Sequence, residues 1–236
     1  MDRDRAPAAV ADLSLRDRAV LVGDSLVVAD LHLGQGATTA LDFPVGDGTD
    51  TVDRLAALLS WADPAELVIA GDVLHSFSTV PGSVRDALDA VTDAATDAGA
   101  KLVLLEGNHD TMLASAWDGQ LGDSHRVGDT LVCHGHETPD ESANRYLIGH
   151  EHPVLDAAGR RRPCYLVGEA VLDGSDVVVL PAFSRLLRGV SINRLEADGF
   201  MSPLVGDPAN LAPLVWDDDA GEIVSFPPLG AFRDRL

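Results

Sequence analysis

The tetrapeptide Gly107-Asn108-His109-Asp110 brings together residue types that are well suited to chemistry. It follows the apolar run 101–106, which has the character of a β-strand, so we expect it in the loop at the carboxyl end of that strand. The Asn108 amide oxygen is a neutral ligand for a divalent metal, and the His109 imidazole can move a proton. Gly, Asn and Asp are also ordinary turn residues, so a simple turn is the alternative interpretation of the tetrapeptide alone.

The histidines favour the metal interpretation, because seven of the eight lie at or next to expected strand ends. These seven are His32, His75, His109, His134, His136, His150 and His152. The same strand ends carry the oxygen ligands Asp30, Asp72, Asn108 and Asp110. Oxygen and imidazole ligands without a thiolate cluster suit manganese, iron, cobalt or a catalytic zinc. Ligands from separate strand ends suggest a rigid site for two metals, which could clamp the attacking and leaving oxygens of a phosphate.

The elements that must position these residues follow from the apolar patterns. Strands are predicted at 19–22, 26–29, 66–70, 101–106, 130–133 and 145–148, and helices at 51–61 and 83–98. Beyond residue 152 only short strands are predicted, at 164–167, 177–180 and 223–226. The first half is therefore β-α-β-α-β and the second half mostly β. The stretch 34–50 has no predicted element, and a loop of that length is expected to cover the site.

The length of 236 residues fits a single domain, residues 1–236, that buries about 70–75% of its unfolded surface. There is no run of 18 apolar residues and no signal-peptide pattern at the start, so neither a membrane span nor secretion is expected. The two cysteines, Cys133 and Cys164, do not form a disulfide framework, which favours a cytoplasmic protein with free thiols.

The net charge is −21, from 17 basic and 38 acidic residues, and the acidic residues are dispersed along the chain. A dispersed acidic surface resembles that of proteins from salt-accumulating halophiles, and an ordinary acidic protein is the alternative. Acidity normally disfavours nucleic acid as a partner. In molar salt that inference weakens, because the Debye length falls to about 3 Å.

Five blocks in order along the chain resemble a known signature. The blocks are Asp30-x-His32, Gly71-Asp72-x-x-His75, Gly107-Asn108-His109-Asp110, His134 and Gly149-His150-x-His152. Together they resemble the signature of calcineurin-like metallophosphoesterases, although each block alone has an ordinary structural explanation. The segment 29–34, His75 at the end of the second block and the segment 180–183 are most similar to small archaeal and bacterial phosphoesterases related to the SbcD-type nuclease. The implied fold is α/β, a four-layer αββα sandwich of two mixed sheets flanked by helices, with the metal site at the C-terminal strand ends.

The resemblance implies a role for each matched residue. The metal ligands would be Asp30, His32 and His152 for the first ion, Asn108, His134 and His150 for the second, and Asp72 as the bridge. Two divalent ions are implied, with manganese expected and iron, zinc, cobalt or nickel as alternatives. His109 would face the phosphate and protonate the leaving group, and Asp110 would accept a hydrogen bond from its other ring nitrogen. His75 would lie beside the substrate phosphate.

The implied activity is the metal-dependent hydrolysis of phosphate esters, most of all phosphodiesters, by a hydroxide that bridges two metals. The substrate would be a phosphate ester, with nucleotides and single-stranded nucleic acid as candidates. One alternative is an SbcD-like DNA nuclease, although 236 residues leave little room for the added domains of that group. The other alternative is a non-catalytic binding scaffold with the same fold, which usually lacks a ligand or the catalytic histidine.

Three features remain outside the signature. The basic run Arg160-Arg161-Arg162 could bind a substrate phosphate or a nucleic-acid backbone, and a solvated hairpin tip is the alternative. His136 has no assigned role and is expected outside the ligand shell. Cys133 precedes His134 on an alternating strand, so its side chain should point into the core.

Overall fold

The computed structural model describes residues 7–35, 48–76, 78–157, 159–195 and 197–232. Residues 36–47, most of the stretch that was expected to cover the site, lie outside these ranges. Within the described part of the chain, no helix combines the length and apolar character that crossing a bilayer requires.

The first sheet has six strands in chain order and is mixed. Its strands are β1 (Ser14–Arg16), β2 (Ala19–Val22), β3 (Ser25–Val28), β4 (Glu66–Ala70), β5 (Lys101–Leu105) and β6 (Leu121–Gly122). β1, β2 and β3 pair antiparallel, and β3 to β6 pair parallel. The strands predicted at 19–22, 26–29, 66–70 and 101–106 are therefore present in this sheet, the first two as an antiparallel hairpin. The parallel pairing brings the carboxyl ends of β3, β4 and β5 to one edge of the sheet.

Two helices cover the outer face of this sheet, α1 (Thr49–Ala62) and α2 (Gly82–Asp97). Each buries residues at helical spacing, such as Leu55 and Leu59 in α1 and Leu88 in α2. Alternate residues of the central strands face these two helices. The residues between them face the second sheet. α2 ends at Asp97, and Gly99 follows with a φ of 74°, the left-handed conformation in which a glycine commonly closes a helix.

The second sheet has seven strands in the order β16-β15-β12-β13-β9-β8-β7. They are β7 (Ser124–Val127), β8 (Thr130–Cys133), β9 (Arg145–Ile148), β12 (Tyr165–Leu172), β13 (Ser175–Val179), β15 (Ala212–Asp217) and β16 (Glu222–Ser225). A small third sheet is formed by β10 (Pro153–Ala157), β11 (Arg160–Pro163) and β14 (Val190–Ser191). The parallel neighbours β8 and β9 both lead directly into predicted ligands.

The two large sheets pack face to face. Their shared core contains Val27 and Val68 from the first sheet and Leu147, Val167 and Val178 from the second. The mixed α/β sandwich that the family resemblance implied is thus confirmed. The outer face of the second sheet is covered differently from that of the first, by the small sheet, short 3-10 helices and α3 (Leu229–Phe232). Residues after 152 carry short apolar runs between turn residues, which cannot form long helices.

Arg54 of α1 connects the helical layer to the segment after β13. Its Nη1 donates to the Phe183 carbonyl at 2.7 Å, while Nε and Nη2 donate to the Asp17 carboxylate at 2.9 and 3.0 Å. Its guanidinium also lies 4.0 Å from the centroid of the Phe183 ring. Phe183 in turn donates its backbone N–H to the Ala29 carbonyl at 2.8 Å, one residue before Asp30. Arg54 therefore fixes the position of Phe183, which is bonded to the backbone next to Asp30.

We expect Arg54→Ala to lower the free energy of unfolding by about 3–5 kcal/mol, since it leaves the buried Phe183 carbonyl without its donor and removes the two hydrogen bonds to the Asp17 carboxylate. Urea unfolding measures this difference. Arg126→Ala is the matched control, because Arg126 forms an exposed pair with Glu141 and should cost at most about 1 kcal/mol. Equal losses in the two variants would contradict the role given to Arg54.

Candidate metal centre

The predicted ligands all follow strands that end at the same edge of the two sheets. In the first sheet Asp30, Asp72 and Asn108 come shortly after β3, β4 and β5. In the second sheet His134 follows β8, and His150 follows β9. Because adjacent parallel strands end together, these side chains meet in one place.

Five of these residues have an unusual backbone conformation. The φ angles are 57° at Asp30, 46° at His32, 48° at Asp72, 70° at His150 and 45° at His152. A non-glycine residue in the left-handed region costs about 1 kcal/mol or more, and such strain concentrates at functional sites. Backbone hydrogen bonds hold the loops together, from Asp30 N to Gly71 O at 3.1 Å and from His32 N to Asp72 O at 2.9 Å.

The first cluster consists of Asp30, His32, Asp72 and His152, whose ligand atoms all lie within 4.8 Å of one another. His152 Nε2 is 3.2 Å from Asp30 Oδ1, and His32 Nε2 is 3.3 Å from Asp72 Oδ2. Both imidazole nitrogens are buried and, among the described residues, have no hydrogen-bond partner of good geometry. Buried nitrogens aimed at carboxylates in this way fit a divalent cation between them.

The second cluster surrounds the Nε2 atom of His134. This atom lies 3.1 Å from Asn108 Oδ1, 3.2 Å from His150 Nδ1 and 3.5 Å from Asp72 Oδ1. The other ring nitrogen of His134 is 3.1 Å from the Ala70 carbonyl, to which it can donate its proton. That bond leaves the Nε2 lone pair directed at the cluster, as a metal-binding tautomer requires. Asp72 contacts both clusters, through Oδ2 on one side and Oδ1 on the other.

The charges of the site also suit a cation. Burial raises the pKa of the Asp72 carboxyl, but the adjacent His32 and His134 imidazoles and the His109 backbone N–H outweigh it and hold that pKa well below its usual range. Burial and the neighbouring His134 lower the pKa of His150 to about 4, so its imidazole is neutral at pH 7. An ionised carboxylate and a neutral imidazole are the forms that bind divalent metals.

His109 lies beside these clusters. Its backbone N–H donates to Asp72 Oδ1 at 2.9 Å, and its Nε2 is 4.0 Å from Asp72 Oδ2. Its side chain is about one quarter exposed, so it faces the opening of the site. His75 is a neighbour on the same side, with Nδ1 3.4 Å from His32 Nδ1 and its ring stacked on that of His109.

The predicted hydrogen bond between His109 and Asp110 is wrong. His109 Nδ1 lies 3.2 Å from the His75 carbonyl oxygen. The buried Asp110 carboxylate instead accepts backbone N–H bonds from Gly107, Val73 and Leu74, at 2.9, 3.2 and 2.9 Å. These loop amides have no strand partner, and an aspartate inside the turn can reach all three. Asp110 therefore joins the loops after β4 and β5.

The structure separates the remaining candidates from the two clusters. The His136 ring is 5.2 Å from that of His134 and lines a cavity next to it. Cys133 is buried, and burial raises the pKa of its thiol to about 12, in keeping with a packing role. Arg160, Arg161 and Arg162 lie on β11, with Arg160 paired to Ala157 at the end of the hairpin away from His152.

The sequence did not reveal the segment 184–189, which also borders the first cluster. Ser184 N donates to the Asp30 carbonyl at 3.2 Å, and Val190 N donates to the His152 carbonyl at 2.9 Å. The only sequence signal here was that this segment follows a strand and carries two arginines, Arg185 and Arg188.

Gly107 matters because its backbone passes close to Asp72. A Cβ at this position would overlap the Asp72 backbone nitrogen and Oδ1. We therefore expect Gly107→Ala to weaken manganese binding by about tenfold to a hundredfold without removing a ligand, as displaced supporting groups do. Calorimetric titration measures this, with Gly82→Ala as the control because no atom lies within 4 Å of a Cβ there. Unchanged affinity in Gly107→Ala would show that Asp72 is free to move.

Known proteins resemble this chain in sequence and in fold. The family model for calcineurin-like phosphoesterases matches residues 25–173. Among solved structures, the nuclease MPE of Pseudomonas putida is 26% identical, with a TM-score of 0.63 over 91% of this chain and 94% of that chain. The phosphoesterase YfcE of E. coli is 16% identical, with a TM-score of 0.42 over 86% of this chain and 98% of that chain, a likeness too slight to support a conclusion. A search of curated proteins finds no significant match.

Proposed function

Because the chain belongs to the calcineurin-like phosphoesterase family, we propose that it hydrolyses phosphate esters, with a preference for phosphodiesters, at a site for two divalent metals. The observation that carries the proposal is the position of Asp72. Its Oδ2 lies 3.3 Å from His32 Nε2, and its Oδ1 lies 3.5 Å from His134 Nε2. A carboxylate placed between two sets of ligands is suited to bridge two cations.

Each ion has its own set of ligands in this proposal. Asp30, His32 and His152 hold the first ion, Asn108, His134 and His150 hold the second, and Asp72 is shared. When bound, the two ions supply an activated hydroxide and neutralise charge on the phosphoryl oxygens. The protein fixes the ligands through the Ala70 carbonyl, which orients His134, and through the His150 backbone N–H, which lies 3.1 Å from Asp30 Oδ2.

His109 is the proposed proton donor to the leaving oxygen. It faces the opening of the site, and contact between its Nδ1 and the His75 carbonyl leaves Nε2 pointing toward Asp72 and the substrate. A protonated imidazole there stabilises the phosphoryl oxygens and then protonates the alkoxide that departs. His75, half-buried beside His32, is placed to contact the substrate phosphate.

A nuclease acting on single-stranded nucleic acid is a narrower form of this proposal. It is supported by the likeness to the nuclease MPE, which extends over most of both chains. A non-catalytic scaffold is disfavoured, since every matched ligand and His109 are retained here.

We further infer manganese as the native metal, with iron, zinc, cobalt or nickel as substitutes, because oxygen and imidazole ligands suit all of them. Both cysteines are free thiols in buried positions, which suits a reducing cytoplasm. The acidic surface suits a salt-rich medium, and residues 1–236 would form a single domain.

Hydrolysis of bis(p-nitrophenyl) phosphate tests the proposal. Protein stripped with a chelator should be inactive, and manganese should restore turnover up to two equivalents per chain. A single-stranded oligonucleotide assayed in parallel at high salt tests the nuclease form. Folded, manganese-loaded protein that hydrolyses neither phosphodiesters nor phosphomonoesters would exclude the enzyme and leave the scaffold.

A further inference from the structure

The segment 184–189, here called the rim loop, borders the first cluster at both of its ends. It begins at Ser184, whose N–H donates to the Asp30 carbonyl, and it is followed by Val190, whose N–H donates to the His152 carbonyl. Both acceptors belong to proposed ligands of the first ion. Both ends of the rim loop are therefore anchored beside proposed ligands of the first ion, where the scissile phosphate would bind.

Two arginines fix the backbone of the rim loop by hydrogen bonds to its carbonyl groups. Arg18 Nη1 donates to the Ala182 and Ser184 carbonyls, both at 2.9 Å. Arg161 Nη2 donates to the Arg188 and Gly189 carbonyls at 3.0 and 3.2 Å. The second arginine of the basic run thus positions the rim loop.

The rim loop presents a cation that has no acidic partner. Arg188 is exposed, and within the described ranges its guanidinium forms no ion pair. Arg185, by contrast, lies 3.2 Å from Asp50 Oδ1 and 3.8 Å from Asp17 Oδ1. In a chain of net charge −21, an unpaired guanidinium on a loop that adjoins the first cluster is available for an anionic ligand.

The opposite side of the site has the reverse charge. A cavity of about 500 Å³ opens beside Asn108 and His134. Its lining includes the acidic residues Glu106, Asp110, Asp123, Glu137 and Asp140 and, among the described lining residues, neither lysine nor arginine. Asn108 and His134 belong to the second cluster, whereas the rim loop is bonded to Asp30 and His152 of the first, so the cavity adjoins one cluster and the rim loop the other. A second phosphate is repelled on the acidic side and attracted on the side of Arg188.

From this asymmetry we propose that Arg188 binds a second phosphate of the substrate, next to the one that is hydrolysed. The substrate class is then an ester with at least two phosphates, and single-stranded nucleic acid is its polymeric form. A nucleic-acid strand then runs from the metal centre across the rim loop. The acidic cavity receives the group on the other side of the scissile phosphate, which carries no further phosphate. Arg161 is a positioning residue, because it acts through the backbone of residues 188 and 189. This inference deepens the proposed function and rests on it.

Two small ligands test the second site directly. In manganese-loaded protein, thymidine 3′,5′-bisphosphate should bind about tenfold more tightly than thymidine 5′-monophosphate, as one added arginine–phosphate contact predicts. Isothermal calorimetry gives the ratio of the two dissociation constants. In Arg188→Ala the ratio should fall to about one, and in Arg188→Lys it should be intermediate, because lysine keeps the charge without the bidentate geometry. Arg126→Ala, which removes an arginine paired with Glu141, should keep the wild-type ratio.

A ratio near one in the wild type, or a tenfold ratio that survives in Arg188→Ala, would overturn the inference. So would Arg188-dependent binding to phosphatidylserine vesicles in protein that shows no preference for the bisphosphate. The assay on bis(p-nitrophenyl) phosphate separates this failure from that of the proposed function. Turnover without a bisphosphate preference rejects only the Arg188 site, whereas an Arg188-dependent preference without any turnover rejects only the hydrolase.

Discussion

Asp72→Asn should lose bound metal and activity together. The substitution keeps the size of the side chain but removes the negative charge that lies between the two clusters. It also turns an acceptor of the His109 N–H into an amide that can present a donor. Bound manganese should fall from two ions per chain toward zero, and turnover of bis(p-nitrophenyl) phosphate should fall by roughly 10³-fold or more, because metal catalysis supplies several kcal/mol.

Metal content by mass spectrometry and initial rates, measured on the same sample, check this result. Asp24→Asn is the matched control, since Asp24 lies exposed in the turn between β2 and β3. It should keep both ions and full turnover. Two tightly bound ions in folded Asp72→Asn would mean that Asp72 does not bridge the clusters.

His109→Ala should separate metal binding from catalysis. Metal content should stay at two ions, because the proposed ligand sets do not include this imidazole and the backbone N–H of residue 109 still donates to Asp72 Oδ1. Loss of a general acid costs about 10²–10⁴-fold when the leaving group needs a proton. We therefore expect that loss on alkyl phosphate esters, and less than about tenfold on p-nitrophenyl esters, whose leaving group departs without one.

The ratio of kcat values on matched alkyl and p-nitrophenyl esters is the measurement. His125→Ala serves as the control, because His125 pairs with Glu66 at 2.8 Å on β7, away from the clusters. An equal loss on both esters in His109→Ala would point to substrate positioning. Loss of a metal ion in this variant would instead make His109 a ligand.

The position of the site could be read from the sequence because the signal is local. Apolar runs such as 66–70 and 101–105 predict buried strands, and polar residues directly after them must lie at the strand ends. Parallel pairing of β3, β4 and β5 then brings Asp30, Asp72 and Asn108 together, whatever the details of the loops.

The direction of individual side chains could not be read in the same way. Asp110 turns toward the amides of Gly107, Val73 and Leu74, two of which lie in a loop more than thirty residues earlier in the chain. β11 consists of three arginines and a proline, which is a poor strand sequence, and it forms because β10 offers a partner. Within the described ranges the rim loop is tied to the site by backbone hydrogen bonds to Asp30 and His152, which leave no pattern in the sequence.

Anomalous diffraction from manganese-loaded crystals tests the central claim most directly. Two manganese peaks about 3.5–4 Å apart are expected. Asp72 should lie between them, Asp30, His32 and His152 around one peak, and Asn108, His134 and His150 around the other. A map without manganese at these residues, or with Asp30 and Asn108 too far apart to share a two-metal site, would contradict it.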